Sequence, residues 1–331
     1  MERRLFLNKL FCSAAGIILL PAANIQALAK PEARKKIILK AGICSDAHRD
    51  LVPDNEFRLQ SFINSMNDRG DIDFIIQLGD FCRPYAHNLP FMDIWKKFKG
   101  PAYHVIGNHE FDGGFTLNQV VAYLGAKEAY YSFDVNGYHF VVFNGNDKNP
   151  DNPSQGYPSY IGEEQRRWLA DDLAKTKLPV IAFCHQSFDA DLESIDNAAD
   201  IRSMFERANE KAGFRKVRLI FSGHHHTDFH NIINGIHYVS LNSMAYEWIE
   251  GSRVECGCYP KEVEEKYPSV KYNMIPYKDP LWAVMTIYAN GEIDIEGRRS
   301  EFMGPSPAER GINNEKNRIV PYISDRRLKK L

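Results

Sequence analysis

Short apolar runs that alternate with helix-period segments are the feature that most restricts the fold of this chain. From residue 37 onward, runs such as "IILKAGIC", "FIIQL" and "VRLIFS" are apolar on both faces of an extended segment. Between them, Leu59, Phe62, Ile63 and Met66 recur at the three- and four-residue spacing of an amphipathic helix. Strands without a polar face belong to a sheet that is covered on both sides. The pattern therefore predicts an α/β fold with helices outside the sheets.

Three Asn-Gly pairs add an antiparallel component to this core. They lie at 136–137, 234–235 and 290–291, each between runs rich in β-branched and aromatic residues. Asn-Gly in that setting is the strongest short hairpin signal, because both residues accept the positive φ of the tight turn. Combined with the alternating core, the hairpins predict one domain in which two mixed sheets pack together.

The first 29 residues predict an export signal rather than a part of the fold. Arg3 and Arg4 precede a short apolar stretch, and Ala27-Leu28-Ala29 has the small residues of a cleavage site. The apolar stretch is too short to span a bilayer, and its basic start resembles a twin-arginine signal. A buried N-terminal helix is the alternative. We therefore expect a signal peptide at 1–29, a single domain at 30–331, and a periplasmic or extracellular protein without a stable membrane anchor.

Composition narrows the range of partners. The 331 residues are 44% hydrophobic and 25% charged, which is ordinary for a globular protein. A formal net charge of −2 gives no indication of a nucleic-acid or anionic-membrane partner. Two polar inserts, near 146–160 and 250–280, interrupt the alternation of strands and helices. The oligomeric state is left open.

Apart from Cys12, which belongs to the expected signal, the six cysteines divide into two kinds. Cys44, Cys82 and Cys184 lie inside apolar runs, where a thiol behaves as a small buried hydrophobe. Cys256 and Cys258 lie in a polar loop, and we expect them to be too close in sequence to form a disulfide with each other. We assign them no function, and the chain is not a disulfide-built scaffold.

Side chains with metal-binding or acid–base chemistry follow five of the apolar runs at their carboxyl ends. That edge of an α/β sheet is where ligands bind, because the loops converge there. Each residue alone has a more common interpretation: an Asp after a strand is usually a turn or cap residue. A lone His usually packs in a strand, as we expect for His104, His139 and His237. The joint occurrence at one edge favours a site made of Asp46, His48, Asp80, Asn108, His109, His185 and the run His224–His226.

The chemistry of these donors favours two metal ions. Mixed carboxylate, amide and imidazole donors suit Mn, Fe or Zn, and the absence of thiolate argues against a structural zinc site. Seven donors are too many for one ion with an open position, but they fit two ions that share a bridging carboxylate. The seven are Asp46, His48, Asp80, Asn108, His185, His224 and His226.

Taken in order, the motifs D-x-H, G-D, G-N-H-E, H and G-H-x-H resemble those of the calcineurin-like metallophosphoesterases. The resemblance covers roughly residues 37–300. It implies a four-layer α/β/β/α sandwich of two mixed sheets, with two divalent metal ions (Mn, Fe or Zn) at the sheet edge.

The resemblance also implies a role for each residue. The ligands of one ion would be Asp46, His48 and His226, those of the other Asn108, His185 and His224, and the bridge Asp80. His109 matches the histidine that contacts the phosphate and protonates the leaving oxygen, which an alkoxide needs in order to depart. Because side chains two apart in an extended segment point the same way, His225 should point away from the ions. Glu110 either orients His109 or is a helix-start acid.

Differences between this sequence and two related families argue against two kinds of phosphatase. Arg83 stands where purple acid phosphatases carry a tyrosine, and His48 where they carry a glycine, so an Fe(III)–tyrosinate enzyme is not expected. "GDFCRP" also differs from the G-D-x-V-D-R-G run of the protein Ser/Thr phosphatases. Arg83 has the geometry of a bidentate phosphate donor, and a surface ion pair is the alternative. The substrate-binding candidates are Arg83, Asn108 and His109.

We therefore expect an exported, metal-dependent phosphoesterase. It would hydrolyse phosphomonoester or phosphodiester bonds of a small-molecule substrate by attack of a hydroxide activated by the dinuclear centre. The alternative is a catalytically silent binding scaffold of the same fold. Substrate choice would lie in loops 83–90, 146–160 and 244–280. Within the last, Tyr246 and Trp248 either stack on a base, sugar or lipid group or pack the core of the insert.

Overall fold

Two large sheets and a small ribbon contain the strands of the protein. A computed structural model describes residues 36–152, 156–190, 194–249, 251–313 and 318–329. The export signal expected at 1–29 lies outside these residues and stays a prediction, as do the domain limits. The strands are β1 (Ile37–Cys44), β2 (Phe74–Gln77), β3 (Ala102–His104), β4 (Tyr131–Val135), β5 (Tyr138–Val142), β6 (Val180–Phe183), β7 (Val217–Ser222), β8 (Phe229–Ile233), β9 (Ile236–Ser240), β10 (Tyr246–Trp248), β11 (Met274–Pro276), β12 (Ala283–Tyr288), β13 (Ile293–Glu296) and β14 (Arg326–Leu328).

Both large sheets are mixed, as predicted. The first has the order β14-β13-β12-β1-β2-β3, in which β1, β2 and β3 are parallel and the other pairs are antiparallel. The second has the order β4-β5-β6-β7-β9-β8, with four parallel central strands and an antiparallel strand at each edge. The ribbon pairs β10 with β11.

An apolar layer fills the space between the two sheets, and β6 shows why its sequence lacks a polar face. Ile181 and Phe183 point into the layer between the sheets. Val180 and Ala182 alternate with them and point to the opposite face, where helices cover the second sheet. Since side chains along a strand alternate between faces, a strand covered on both sides needs apolar residues at every position.

Helices cover the outer face of each sheet. They are α1 (Asn55–Arg69), α2 (Leu89–Trp95) and α3 (Leu117–Leu124) on the first sheet, α4 (Glu163–Lys175) and α5 (Ala198–Ala212) on the second, and α6 (Lys261–Lys266) and α7 (Pro268–Tyr272) in the second insert. The apolar face predicted for α1, including Leu59, Phe62 and Met66, is buried. The layers thus run helix, sheet, sheet, helix, which confirms the predicted four-layer α/β/β/α sandwich.

The three Asn-Gly pairs form the predicted hairpins. They connect β4 to β5, β8 to β9 and β12 to β13, all antiparallel pairs. In the first two, both residues have positive φ, as at Asn136 (48°) and Gly137 (82°). Asn and Gly tolerate this region at low cost, so the local sequence determines where the chain reverses.

The parallel strands place their carboxyl ends at one edge of the molecule. β1, β2 and β3 end there in the first sheet, and β5, β6, β7 and β9 end there in the second. A parallel bridge between Ile106 and Asn144, just beyond β3 and β5, joins the two sheets beside this edge. The loops that follow these strands therefore converge on one region.

The cysteines behave as predicted in one case and not in the other. Cys44, Cys82 and Cys184 are buried free thiols, as expected. Cys256 and Cys258 form a disulfide, so the expectation that they are too close to pair was wrong. Gly257 has a φ of 58°, and the turn holds the two Cα atoms 5.1 Å apart, within the range that a disulfide spans. In the part of the chain that the structure describes, no helix has the length and apolarity to cross a membrane.

Candidate metal centre

The candidate ligands predicted from the sequence come together at the shared strand edge. They begin two to four residues after the ends of β1, β2, β3, β6 and β7. Their donor atoms form three groups, in each of which all atoms lie within 4.8 Å of one another. The groups are Asp46, His48 and His226; Asp80, His185 and His224; and His48, Asp80 and His109.

Asp80 connects the groups. Its Oδ2 lies 3.2 Å from His185 Nε2 and 3.6 Å from His48 Nε2, so one carboxylate faces donors from both sides. The Oδ1 of Asn108 lies 3.1 Å from the same His185 nitrogen. The residues assigned to two ions by resemblance thus form two neighbouring sets with Asp80 between them. Their individual roles as ligands stay predictions.

Backbone carbonyls determine which nitrogen of two histidines faces the centre. His226 Nδ1–H donates to Tyr246 O at 2.8 Å, and His185 Nδ1–H donates to Leu78 O at 2.9 Å. In a neutral imidazole, the other nitrogen then carries the lone pair. Nε2 of both rings therefore faces the site as an acceptor, which is the arrangement that metal-binding histidines use.

The donor atoms fit bound cations. His48 Nε2 and His226 Nε2 lie 3.1 Å apart, and His185 Nε2 and His224 Nδ1 lie 3.2 Å apart. Two ligand atoms at about 2.1 Å from one ion and at right angles to each other lie about 3.0 Å apart. Nitrogen lone pairs that face each other at this distance are favourable only when a proton or cation lies between them. Oxygen and nitrogen donors without thiolate suit Mn, Fe or Zn.

The electrostatics show how strongly the centre attracts positive charge. Burial would raise the pKa of Asp46, but the imidazole of His226 outweighs it and lowers the pKa to about 2. Burial would lower the pKa of His185, but Asp80 raises it to about 9. Burial lowers the pKa of His224 to about 3. The buried carboxylates of Asp46 and Asp80 therefore favour a positive charge close to them. Protons on the imidazoles supply that charge here, and bound metal ions supply it when they replace the protons.

The backbone is strained at five of the candidate ligands. Eight of the described non-glycine residues have positive φ, and five of them are Asp46, His48, Asp80, His224 and His226, at 47–67°. Such conformations cost on the order of 1–3 kcal/mol each and persist where the surrounding structure enforces them, often at functional sites. The concentration of strain at these residues supports a function for them that packing alone does not require.

Glu110 holds two of the loops together rather than orienting His109. Its buried carboxylate accepts hydrogen bonds from the backbone N–H of Asp80 (3.2 Å), Phe81 (2.5 Å) and Gly107 (2.9 Å). The pKa of Glu110 is raised to about 7 by burial and by the nearby Asp80. The sequence left open an acid that orients His109 or one that starts a helix, and the structure shows a third role, as a buried acceptor for the backbone N–H groups of two loops.

Asp112, which sequence reasoning missed, contacts His109 instead. His109 Nδ1 lies 2.8 Å from Asp112 Oδ2, and the same carboxylate accepts from Arg83 Nη2 (2.6 Å) and Tyr157 Oη (2.8 Å). Burial would raise the pKa of Asp112, but these hydrogen bonds, led by that of His109, lower it to about 2. Burial would also lower the pKa of His109, but Asp80 and Asp112 raise it. The three-residue spacing from His109 was the available signal.

Arg83 and His225 each have a side-chain partner that bears on the role predicted for them. The guanidinium of Arg83 pairs with Asp112 and is half-buried, so the structure places it beside the centre in an ion pair. His225 Nε2 lies 3.1 Å from Ser187 Oγ, and His225 belongs to none of the three donor groups. Contact of Arg83 with substrate and the absence of a metal role for His225 stay predictions.

Comparison with known proteins agrees with this geometry. A family model described as calcineurin-like phosphoesterase matches residues 39–228. The manganese-dependent ADP-ribose/CDP-alcohol diphosphatase of Oryza sativa subsp. japonica is 24% identical over 235 residues, which cover 56% of this chain and 73% of the rice protein. The protein of the same name from Arabidopsis thaliana is 25% identical over 236 residues, or 56% of this chain and 75% of its own.

A solved structure shares the fold. A dimetal phosphatase from Danio rerio matches with a TM-score of 0.57 at 15% identity, covering 82% of this chain and all of that one. The donor set, the diphosphatase relatives and the family model agree on a hydrolase of phosphoric esters that uses two divalent metal ions. Since the family model spans more than half of the sequence, this chain belongs to the calcineurin-like phosphoesterase family.

Proposed function

We propose that this protein is an exported hydrolase that cleaves phosphomonoester, phosphodiester or diphosphate bonds of a small-molecule substrate. The observation that carries the proposal is the pair of donor sets joined through Asp80, with His109 Nε2 4.0 Å from Asp80 Oδ2. An acid–base group thus lies directly beside the place where a phosphoryl group would bind.

Each residue of the centre has a separate role in the proposed reaction. Two divalent ions, held by the two donor sets that Asp80 joins, would supply the Lewis acidity that activates water and polarises a phosphoryl oxygen. His109 presents Nε2 to the site and donates a proton to the leaving oxygen. Asp112 accepts the Nδ1–H of His109 and so fixes the orientation of the ring. Arg83 and Tyr157 hold the Asp112 carboxylate in place through their own hydrogen bonds.

The plant relatives favour one bond type and one metal. Both are named manganese-dependent diphosphatases, which supports Mn as the ion and a diphosphate as the bond cleaved here. Phosphoesters and diphosphates need the same centre, so the loops determine the choice between them. A parallel assay of phosphomonoesters, cyclic nucleotides, nucleoside diphosphate sugars and glycerophosphodiesters distinguishes these classes.

Hydrolysis of bis-p-nitrophenyl phosphate in the presence of Mn tests the reaction itself. We expect the purified protein to be active, Asp80→Asn to lose both metal and activity, and the matched control His225→Ala to keep both. A protein that binds Mn but hydrolyses none of the substrate classes above would instead be the silent scaffold. Full activity and metal content in Asp80→Asn would refute the proposed centre.

Export is tested separately. The full chain, expressed in a bacterial host with a twin-arginine pathway, should appear in the periplasm without residues 1–29. Replacing Arg3 and Arg4 by lysine should retain it in the cytoplasm if that pathway is used. A full-length cytoplasmic product from the unaltered chain would refute export and leave the hydrolase proposal intact.

A further inference from the structure

A cavity of about 430 Å³ opens beside the metal centre. Asn108, His109 and His224 line the side nearest the donors, while Tyr157 and Trp248 come from the loops 146–160 and 244–280, which are expected to choose the substrate. A cavity of this size accommodates a small molecule or a ring-bearing part of one. Whatever is attached to a phosphate at the centre would extend into it.

A series of ring contacts leads from Tyr157 through His109 and His48 to Trp248. The ring centroids of Tyr157 and His109 lie 5.0 Å apart, those of His109 and His48 4.9 Å, and those of His48 and Trp248 6.1 Å. Tyr157 therefore lies against His109, and Trp248 lies against His48, at the edge of the candidate centre. Planar groups, nucleobases above all, bind to such rings by stacking on their faces.

Both end rings are held in position. Tyr157 is 47% exposed, yet its hydroxyl donates to Asp112 Oδ1 at 2.8 Å. Trp248 lies in β10, which pairs with β11, and packs edge-on against the buried ring of Tyr246 at 5.0 Å. Rings that are already ordered lose little freedom when a ligand stacks on them, which favours binding.

The remaining lining indicates an uncharged, polar ligand. None of the described residues that line this cavity is Lys or Arg, so the anionic part of a substrate belongs at the metal centre. A purely alkyl ligand also fits poorly, because Asn108, Ser159 and Gln186 add polar side chains to the lining.

We propose that this cavity binds the nucleoside part of the substrate. The base packs against the rings of Trp248 and Tyr157, both of which line the cavity. The inference rests on the proposed function, since the phosphate of the same molecule would lie at the metal centre. It identifies the substrate as a nucleotide derivative rather than a sugar phosphate, lipid or phosphoprotein.

Binding of free nucleosides tests the cavity without catalysis. Saturation-transfer NMR on the full, metal-free protein, with adenosine and cytidine as probes and glycerol as the negative probe, should detect contact with the nucleosides alone. Trp248→Leu and Tyr157→Leu should each weaken nucleoside binding roughly tenfold, the size expected for one lost stacking contact. Phe214→Leu, which removes an aromatic that is 47% exposed elsewhere, is the matched control and should bind as the unaltered protein does.

Kinetics provide the second test. With a nucleoside diphosphate sugar as substrate, Trp248→Leu should lower kcat/KM roughly tenfold, mostly through KM. With a glycerophosphodiester, which lacks a base, the same variant should lose far less. An equal loss on both substrates, or unchanged nucleoside binding in both variants, would overturn the proposal.

The two proposals fail in different ways. A protein that binds adenosine through Trp248 but hydrolyses no phosphoester supports the nucleoside site and refutes the proposed function. A protein that hydrolyses glycerophosphodiesters yet binds neither nucleoside refutes the nucleoside site alone.

Discussion

At the metal centre, closely approaching backbone and carboxylate atoms restrict which residue type can occupy a position. A Cβ added to Gly107 would lie 2.3 Å from the backbone nitrogen of Asp80 and 2.2 Å from its Oδ1. Both atoms belong to the residue that connects the donor sets, and one of them is main chain. The glycine of the G-N-H motif is therefore required by the position of Asp80.

Gly107→Ala should remove metal without altering any candidate ligand. The added methyl group has to displace Asp80, because backbone atoms have no room to move aside. We expect a purified protein with native far-UV circular dichroism and a sharply reduced metal content by mass spectrometry. Gly251→Ala is the matched control, since no atom of the described residues beyond its chain neighbours lies within 4 Å of an added Cβ. A full metal content in Gly107→Ala would contradict the proposed bridging position of Asp80.

Asp112→Asn should slow reactions with poor leaving groups selectively. Asn keeps the shape of the side chain but removes the charge that orients His109 and favours its protonated form. General acid catalysis contributes on the order of 10²–10⁴-fold when the leaving oxygen is basic. We expect a loss of roughly 10²-fold in kcat on an alkyl ester and a much smaller one on bis-p-nitrophenyl phosphate.

Metal content provides the control for this variant, since Asp112 belongs to none of the donor groups and should leave the metals in place. Equal losses on both substrates would mean that Asp112 does not act through proton donation by His109.

At the scale of strands and loops, the sequence predicted what local patterns encode. The doubly apolar runs identified the core strands, and Asn-Gly identified the hairpins, because each signal reflects nearest-neighbour physics. The ends of β1, β2, β3, β6 and β7 followed from the position of the polar residues. The contacts of Asp112 with Arg83 and Tyr157 could not be predicted from the sequence, because they join three loops that are distant along the chain. The loop turn that pairs Cys256 with Cys258 was missed for a different reason: spacing alone does not reveal a turn at Gly257.

The Cys256–Cys258 disulfide should stabilise the protein only slightly. A bridge between residues two apart in sequence closes a three-residue loop, which removes little entropy from the unfolded chain. Loop closure of that length contributes about 1.6 kcal/mol at 25 °C, against about 5 kcal/mol for a loop of 100 residues. Replacing both cysteines by alanine should therefore cost about 1.6 kcal/mol or less in urea unfolding.

Alkylation followed by mass spectrometry verifies the bridge itself. The native, air-exposed protein without residues 1–29 should show no reactive thiols, because Cys44, Cys82 and Cys184 are buried. Two reactive thiols at 256 and 258 would contradict the disulfide.

On the scale of the whole molecule, one histidine outside the metal centre links the second sheet to its covering helix. His139 in β5 contacts Asp134 Oδ1 through Nδ1 at 2.6 Å and Asp172 Oδ2 through Nε2 at 2.7 Å. Asp134 lies in β4 and Asp172 in α4. Both ring nitrogens donate only when the imidazole is protonated. The junction of sheet and helix therefore depends on the charge of His139.

The contribution of His139 to stability should decrease as the pH rises. Burial would lower the pKa of His139, but the hydrogen bonds to Asp172 and Asp134 outweigh it and raise the pKa above 6.5. A raised folded-state pKa means that the folded protein binds the proton more tightly than the unfolded chain. The stabilisation is complete below pH 6.5 and is lost as the pH rises through the folded-state pKa. Urea unfolding should show that His139→Gln costs more at pH 6 than at pH 9.

His104→Gln provides a control of opposite sign, and the difference between variants removes effects common to the whole protein. Burial lowers the pKa of His104 to about 3, so this ring stays neutral in the folded state throughout that range. The unfolded chain takes up the proton below about pH 6.5, which weakens the folded state at pH 6 relative to pH 9. His104→Gln should therefore cost less at pH 6 than at pH 9. If both variants changed with pH in the same direction, the protonated His139 would not be what joins β4, β5 and α4.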